Sequence, residues 1–126
     1  PWPTWWILRP LPPGKKRWNG GGNRGVWIQN KTKSDAERFH ETQKPLALMM
    51  KLIEQFTDPG DLIFDPFSGS ATTGIAALAL GRRFVGCEID PEYFGKAAER
   101  LAAFELGGMK RSDYVAGQVA LFGAID

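Results

Sequence analysis

The sequence predicts an α/β fold in which parallel strands are flanked by helices. Three observations carry this. From Pro45 onward, apolar residues recur in the order helix, strand, helix, strand, helix. The two strand segments are short and wholly apolar, as in strands buried on both faces of a parallel sheet. The segment joining them is long enough for a helical crossover, which places the strands parallel and the connection right-handed.

The elements follow in chain order. Leu46, Met49, Met50, Ile53 and Phe56 recur at helical spacing. Pro45 suits the first helical position, which leaves Lys44 at the cap. Asp58-Pro59-Gly60-Asp61 has turn chemistry. Leu62-Ile63-Phe64 is the first buried strand. Ser68 to Ser70 form a tight loop, and Thr72 or Thr73 caps a second helix that stops at Gly81. Phe84-Val85-Gly86-Cys87 is the second buried strand. Asp90 caps a third helix with Pro91 at its first position. Phe94, Ala97, Ala98, Leu101 and Ala102 give that helix one apolar face, and Gly107-Gly108 ends it.

The chain divides into three parts. Residues 1–41 hold all five tryptophans and are rich in glycine, proline and basic side chains. Pro10, Pro12 and Pro13 exclude a helix there. Trp5–Leu8 and Gly25–Ile28 read as short strands, and Asn19–Asn23 as a flexible loop. From Arg9 to Lys33 there are seven basic residues and no acidic one. Lys15, Lys16, Arg17 and Arg24 are the residues of this segment expected to meet nucleic-acid phosphates, with aromatic rings available to stack on bases. The bland alternative is that the tryptophans fill core and the basic residues are solvated. Residues 42–109 form the regular α/β region. The tail, 110–126, is weakly patterned, with Gln118–Phe122 as its one candidate strand.

Bulk properties exclude several classes. No apolar run approaches the ~20 residues of a membrane span. The N-terminus lacks the layout of a signal peptide. The single cysteine, Cys87, allows no internal disulfide and fits a reducing, cytoplasmic setting. No metal-ligand cluster accompanies His40. The chain opens with Pro1 and its first methionine is Met49, so it reads as a fragment or a processed piece.

The chemistry centres on Asp65 to Gly74, DPFSGSATTG, and on Glu88, 19 residues after Gly69. A loop that leaves a buried strand and enters a helix offers free N–H groups and a positive dipole end to an anion. A carboxylate at the end of the next strand suits the two hydroxyls of a ribose. Three ligands fit this description to different degrees. A nucleoside triphosphate needs Lys and Ser/Thr after the second glycine, where Ile75 and Ala76 stand. A dinucleotide needs a glycine against its pyrophosphate, where Ala71 stands. S-adenosylmethionine, whose only anion is a carboxylate, needs neither. In the bland reading the glycines only pack helix on strand, which leaves Glu88 and the segment His40-Glu41-Thr42-Gln43-Lys44-Pro45 without a role. In that segment Lys44 is a poor cap residue, and a broken local rule at an element boundary points to function.

Taken together, His40 to Pro45, the DPFSGSATTG loop, and Gly81 through Phe94 (GRRFVGCEIDPEYF) resemble the DNA amino-methyltransferases. The order is similar to that of the permuted subgroup, in which the catalytic motif precedes the cofactor motif, and the match covers about residues 40 to 106. The resemblance implies a partial Rossmann-like methyltransferase fold that binds S-adenosylmethionine and acts on double-stranded DNA. Adenine is favoured over cytosine on family prevalence alone. It further implies that Asp65, Phe67, Gly69 and Ser70 surround the methionine part of the cofactor. Thr72 and Thr73 would lie near its carboxylate, Glu88 at the ribose and Ile89 against the adenine. Thr42, Gln43 and Lys44 would close the other side. Ala71 departs from the glycine usual in the family.

The family's catalytic motif is Asp, Ser or Asn, then Pro-Pro, then an aromatic. Asp90-Pro91-Glu92-Tyr93 has Glu for the second proline, Asp65-Pro66-Phe67-Ser68 belongs to the cofactor loop, and Pro12-Pro13 is followed by Gly14. No catalytic residue is therefore assigned. In the permuted order the motif would lie in a missing N-terminal catalytic part. The alternative is a degenerate module that holds a nucleoside or nothing.

Overall fold

The computed structural model describes residues 19–22 and 43–106. The Trp-rich strands, Lys15, Lys16, Arg17, Arg24, His40 to Thr42, Gly107-Gly108 and the C-terminal tail lie outside the described residues. The element order is α1 (Leu46–Phe56), β1 (Leu62–Asp65), α2 (Thr72–Ala79), β2 (Arg83–Gly86) and α3 (Pro91–Leu106). β1 and β2 pair in parallel, with Leu62 opposite Arg83 and Asp65 opposite Gly86. This is an incomplete Rossmann-like α/β unit, with α2 as the crossover between its two strands.

The core lies where α1 packs on α2. Leu46 and Ile53 of α1 meet Ile75, Ala76, Ala77 and Leu80, and Met49, Met50, Ile63, Phe84, Leu101 and Phe104 close around them. The small residues of α2 let neighbouring elements approach closely. A Cβ on Gly74 would lie 2.7 Å from the Phe84 ring and 2.9 Å from Leu101. Gly74 thus serves packing of helix on strand, as the bland reading of the loop glycines had it.

Two helix boundaries are set by strong local signals. Asp90 Oδ1 accepts from the N–H groups of Glu92 (2.9 Å) and Tyr93 (3.1 Å), an N-cap with proline at the first helical position. α2 ends in a Schellman motif. Gly81, at φ 73°, donates to Leu78 O, and Arg82 N–H donates to Ala77 O. The turn at Asp58–Asp61 also forms, with Asp61 N–H on Asp58 O and Asp58 N–H on Asp61 Oδ2.

Other boundaries differ from expectation. Pro45 is the extended N-cap residue of α1, not its first helical residue. Lys44 therefore stands one position outside the cap, and its poor capping propensity says nothing about function. The N-cap of α2 is Ala71, in the left-handed conformation, with no side-chain cap; Thr72 is already helical. On α3 the inward stripe is Ala97, Leu101 and Phe104, whereas Phe94, Ala98 and Ala102 are exposed. A stripe at i, i+4 and i+7 follows one helix face, and the small neighbours Ala98 and Ala102 carry too little apolar surface to widen it.

The strands are not buried on both faces. Leu62, Phe64 and Val85 are exposed, while Ile63 and Phe84 turn toward the helices. Successive strand side chains point to opposite faces, and among the described residues the helices cover only one.

Asn19–Gly22 forms a turn tied to the end of α1, not a free loop. Asn19 N–H donates to Gln55 O, and its side-chain amide donates to Thr57 O (2.9 Å) and Asp58 Oδ1 (3.1 Å). Arg82, 7% exposed, secures the same helix end from inside. Its guanidinium donates to Thr57 O (2.7 Å), Thr57 Oγ1 (3.1 Å) and Leu80 O (2.6 Å). No described helix is long and apolar enough to cross a membrane.

Candidate functional site

The loop between β1 and α2 is built from its neighbours' backbones. At the exit of β1, Asp65 O accepts from Cys87 N–H, and Asp65 Oδ1 accepts from Phe67 N–H (3.1 Å). Cys87 O accepts from both the N–H and the hydroxyl of Ser68 (2.8 and 3.0 Å). The strand pairing thus continues past β2 as a side-chain and backbone ladder that draws the loop against residues 87 and 88. Gly69 then takes φ 50° and Ala71 φ 55°, closing a turn in which Ala71 N–H donates to Ser68 O. Two left-handed residues this close together turn the chain sharply between β1 and α2.

Glu88 lies two residues beyond β2 and acts as a clip. Its Oε2 accepts from Gly69 N–H (2.8 Å) and its Oε1 from Asp90 N–H (3.0 Å). Residues 19 apart in sequence are thereby joined by one hydrogen bond. One carboxylate thus bridges the glycine loop and the residue that caps α3. Glu88 is half-buried, whereas Phe67 and Ile89 on either side of the clip are 87% and 98% exposed. Two large apolar side chains held out in this way next to a polar loop are the surfaces a flat or aliphatic ligand group would cover.

Ser70 and Thr72 turn inward. Both are buried, and their hydroxyls lie 3.0 Å apart. Thr73 is half-buried in the first turn of α2. A residue that sequence reasoning missed completes the arrangement: Arg100, on α3, donates from Nη1 to Ser70 O (2.7 Å) and Thr72 Oγ1 (3.3 Å). Its signal was in the sequence, because an arginine at position 100 falls within the stripe of Ala97, Leu101 and Phe104.

Of the other expected site residues, Gln43 and Lys44 are half-buried on the approach to α1. Among the described residues the buried Oε1 of Gln43 has no hydrogen-bond partner. Thr42 lies outside the described residues. No group of three or more His, Cys, Asp or Glu that could hold a metal ion occurs among the described residues.

A parallel β–α–β unit with a glycine loop clipped to a carboxylate past the second strand is the layout of Rossmann-like cofactor-binding folds. Sequence comparison narrows this class: the chain belongs to the N6/N4 DNA methylase family, whose family model matches residues 12–99. Among curated relatives, it is 50% identical over 67 residues to the DNA adenine methyltransferase YhdJ of Escherichia coli, covering 53% of this chain and 23% of that protein. It is 43% identical over 88 residues to the Type II methyltransferase M2.DpnII of Streptococcus pneumoniae, covering 68% of this chain and 32% of that protein. The chain thus spans a third or less of the length of these relatives. Among solved structures, the M1.HpyAVI–SAM complex superposes with a TM-score of 0.60 at 41% identity, covering 69% of this chain and 44% of that one.

Proposed function

We propose that this chain is the cofactor-binding part of a site-specific DNA methyltransferase. The reaction moves the methyl group of S-adenosylmethionine to an exocyclic amino group of a DNA base, adenine in preference to cytosine. The observation that carries the reading is the Glu88–Gly69 hydrogen bond, which unites the loop motif and the acidic residue in one polar site. The structure of M1.HpyAVI as a complex with SAM supports it.

The residues present fit that cofactor. The Glu88 carboxylate, at the end of the second strand, suits the ribose hydroxyls, and exposed Ile89 suits the adenine face. Asp65, Phe67, Gly69 and Ser70 surround the methionine part. The first turn of α2, at Thr72 and Thr73, has no side-chain cap, and its N–H groups and dipole favour a carboxylate there. Thr42, Gln43 and Lys44 close the remaining side, with Gln43 Oε1 available as an acceptor. When bound, the cofactor supplies an electrophilic methyl group. The chain's own residues bind and orient it.

The base is handled elsewhere. A target amino group inside a duplex is inaccessible, so the nucleotide is flipped out into a pocket. The Asp/Ser/Asn-Pro-Pro-aromatic motif that lines such a pocket does not occur in these 126 residues. We assign it to a part of the enzyme outside them. Lys15, Lys16, Arg17 and Arg24 contact DNA phosphates, and the complete enzyme works in the cytoplasm. A second reading, a degenerate module that retains only nucleoside binding, draws on Ala71, a non-glycine residue in the left-handed region.

The test pairs two assays on this chain. Photo-crosslinking with labelled S-adenosylmethionine is expected to mark it, in competition with S-adenosylhomocysteine. A methyl-transfer assay on mixed-sequence DNA is expected to show no turnover, because misplacing reacting groups by ~1 Å already costs ~100-fold and here one reactant has no pocket. Absence of labelling refutes the cofactor assignment. Turnover by the chain alone refutes the division of labour and points first to Asp90–Tyr93.

A further inference from the structure

We infer that Arg100 is a positioning residue for the amino-acid end of the cofactor, an inference that rests on the S-adenosylmethionine reading above. Arg100 projects from α3, an element that none of the expected cofactor residues occupies. Its Nη1 donates to the Ser70 carbonyl at 2.7 Å and to Thr72 Oγ1 at 3.3 Å. The Ser70 carbonyl and the Ala71 N–H belong to one peptide unit. That unit is therefore held from two sides, by Arg100 at its oxygen and by the Ser68 carbonyl at its N–H. The residue that follows, Ala71, is 1% exposed and in the left-handed region, a conformation that an L-residue with a side chain does not keep without outside restraint.

The consequence is directional. Fixing the Ser70–Ala71 peptide fixes where α2 begins and therefore where the N–H groups of Thr72 and Thr73 point. Glu88 holds the loop one residue earlier, at the Gly69 N–H. Two ions of opposite charge thus grip consecutive residues: a carboxylate on the N–H of Gly69 and a guanidinium on the carbonyl of Ser70. Glu88 governs the ribose side, and Arg100 governs the side that faces the methionine carboxylate. The guanidinium also adds positive charge beside the helix start, where an anion is favoured.

The experiment compares two ligands in the full chain by calorimetry: S-adenosylmethionine, and 5′-methylthioadenosine, which lacks the amino-acid portion. Arg100→Met is expected to weaken S-adenosylmethionine binding at least tenfold and 5′-methylthioadenosine binding less than threefold. Arg100→Lys, which keeps a charged donor, is expected to recover part of the loss. Thermal unfolding of each variant establishes that it is folded at the titration temperature; if Arg100→Met is not, Arg100→Lys alone is required to show the same selective direction. Equal weakening of both ligands, or no weakening of either, overturns the inference while leaving the cofactor reading intact. Failure of the unmodified chain to bind S-adenosylmethionine overturns the cofactor reading and this inference with it.

Discussion

Glu88→Ala tests both the loop clip and the proposed ribose contact of one carboxylate. The side chain accepts from Gly69 N–H at 2.8 Å and from Asp90 N–H at 3.0 Å. A hydrogen bond to a charged group contributes about 1.5–3 kcal/mol. Both bonds are half-buried, where water replaces part of what is lost, so the lower end applies to each. The expected loss of stability for Glu88→Ala is about 3 kcal/mol. Glu88→Gln keeps one acceptor oxygen but turns an amide N–H toward the other donor, so about half of that loss is expected. Urea unfolding measures both, with an unchanged m-value showing that only stability has moved. On top of this, removing the proposed acceptor of two ribose hydroxyls is expected to weaken S-adenosylmethionine binding by roughly 2–4 kcal/mol, read by calorimetry at a temperature where the variant is folded. A stability loss below about 0.5 kcal/mol for Glu88→Ala, or equal losses for Ala and Gln, refutes the clip. An unchanged affinity removes Glu88 from the cofactor site.

Two further perturbations test the scaffold beneath the loop. Ala71→Val places a β-branched residue at φ 55° in a site that is 1% exposed; adding bulk to a tight site costs about 1–3 kcal/mol beyond the left-handed penalty, so a loss of at least 2 kcal/mol is expected by chemical denaturation. Ala71→Gly relieves about 1–2 kcal/mol of left-handed strain but forfeits a buried methyl worth ~0.8 kcal/mol and frees the unfolded chain, so it is expected to fall within about 1 kcal/mol of the parent. Arg82→Met removes three donated hydrogen bonds and strands the carbonyl of Leu80, while Thr57 O keeps its bond from the Asn19 amide; a loss of about 3 kcal/mol is expected, and a shift in melting temperature of less than a degree refutes the role given to Arg82.

What the sequence made legible follows from how local each determinant is. The Asp90-Pro91 start of α3 and the Gly81 end of α2 are decided by single residues with strong backbone preferences, and both form as expected. Parallel pairing of Leu62–Phe64 with the strand at Phe84 follows from connection length and apolar content, and it holds in register. Thr72 and Thr73 have the right chemistry to cap α2, yet the tight turn at Gly69 places Ala71 at the cap. No composition argument reveals a left-handed alanine. The two-sided burial expected of the strands fails for another reason. An apolar run is the same string of letters whether one face or both are covered, and exposed Leu62, Phe64 and Val85 show that coverage is a property of the neighbouring elements. Arg100 and Arg82 were passed over because charged residues are ordinarily assigned to solvent. Each instead donates to backbone carbonyl and threonine hydroxyl oxygens at a helix end, a partnership that requires knowing which ends meet.

That last point bears on why this loop tolerates Ala71 at all. A left-handed alanine is a liability of about 1–2 kcal/mol, and an unrestrained loop would relax away from it. Here the flanking groups leave it little freedom. Gly69 is fixed by Glu88, Ser68 is doubly bonded to Cys87 O, Ser70 O is held by Arg100, and Ile75 N–H closes the first helical bond onto Ala71 O. The distant contacts come from Cys87 and Glu88 after β2 and from Arg100 on α3, so the strain persists only while β2, α3 and the loop are assembled together. Strain held in this way is a form of pre-organisation: the N–H groups at the start of α2 are aimed before any ligand arrives. A glycine at position 71 would reach the same geometry without strain but would also leave it more readily. Restraint from Glu88 and Arg100 therefore matters more in this chain than it would with glycine. The cost of Arg100→Met to S-adenosylmethionine binding is accordingly expected to be smaller in an Ala71→Gly background than in the parent, because glycine keeps the left-handed geometry without the strain that Arg100 restrains; an equal or larger cost in the double variant, read by calorimetry, refutes this account of the restraint.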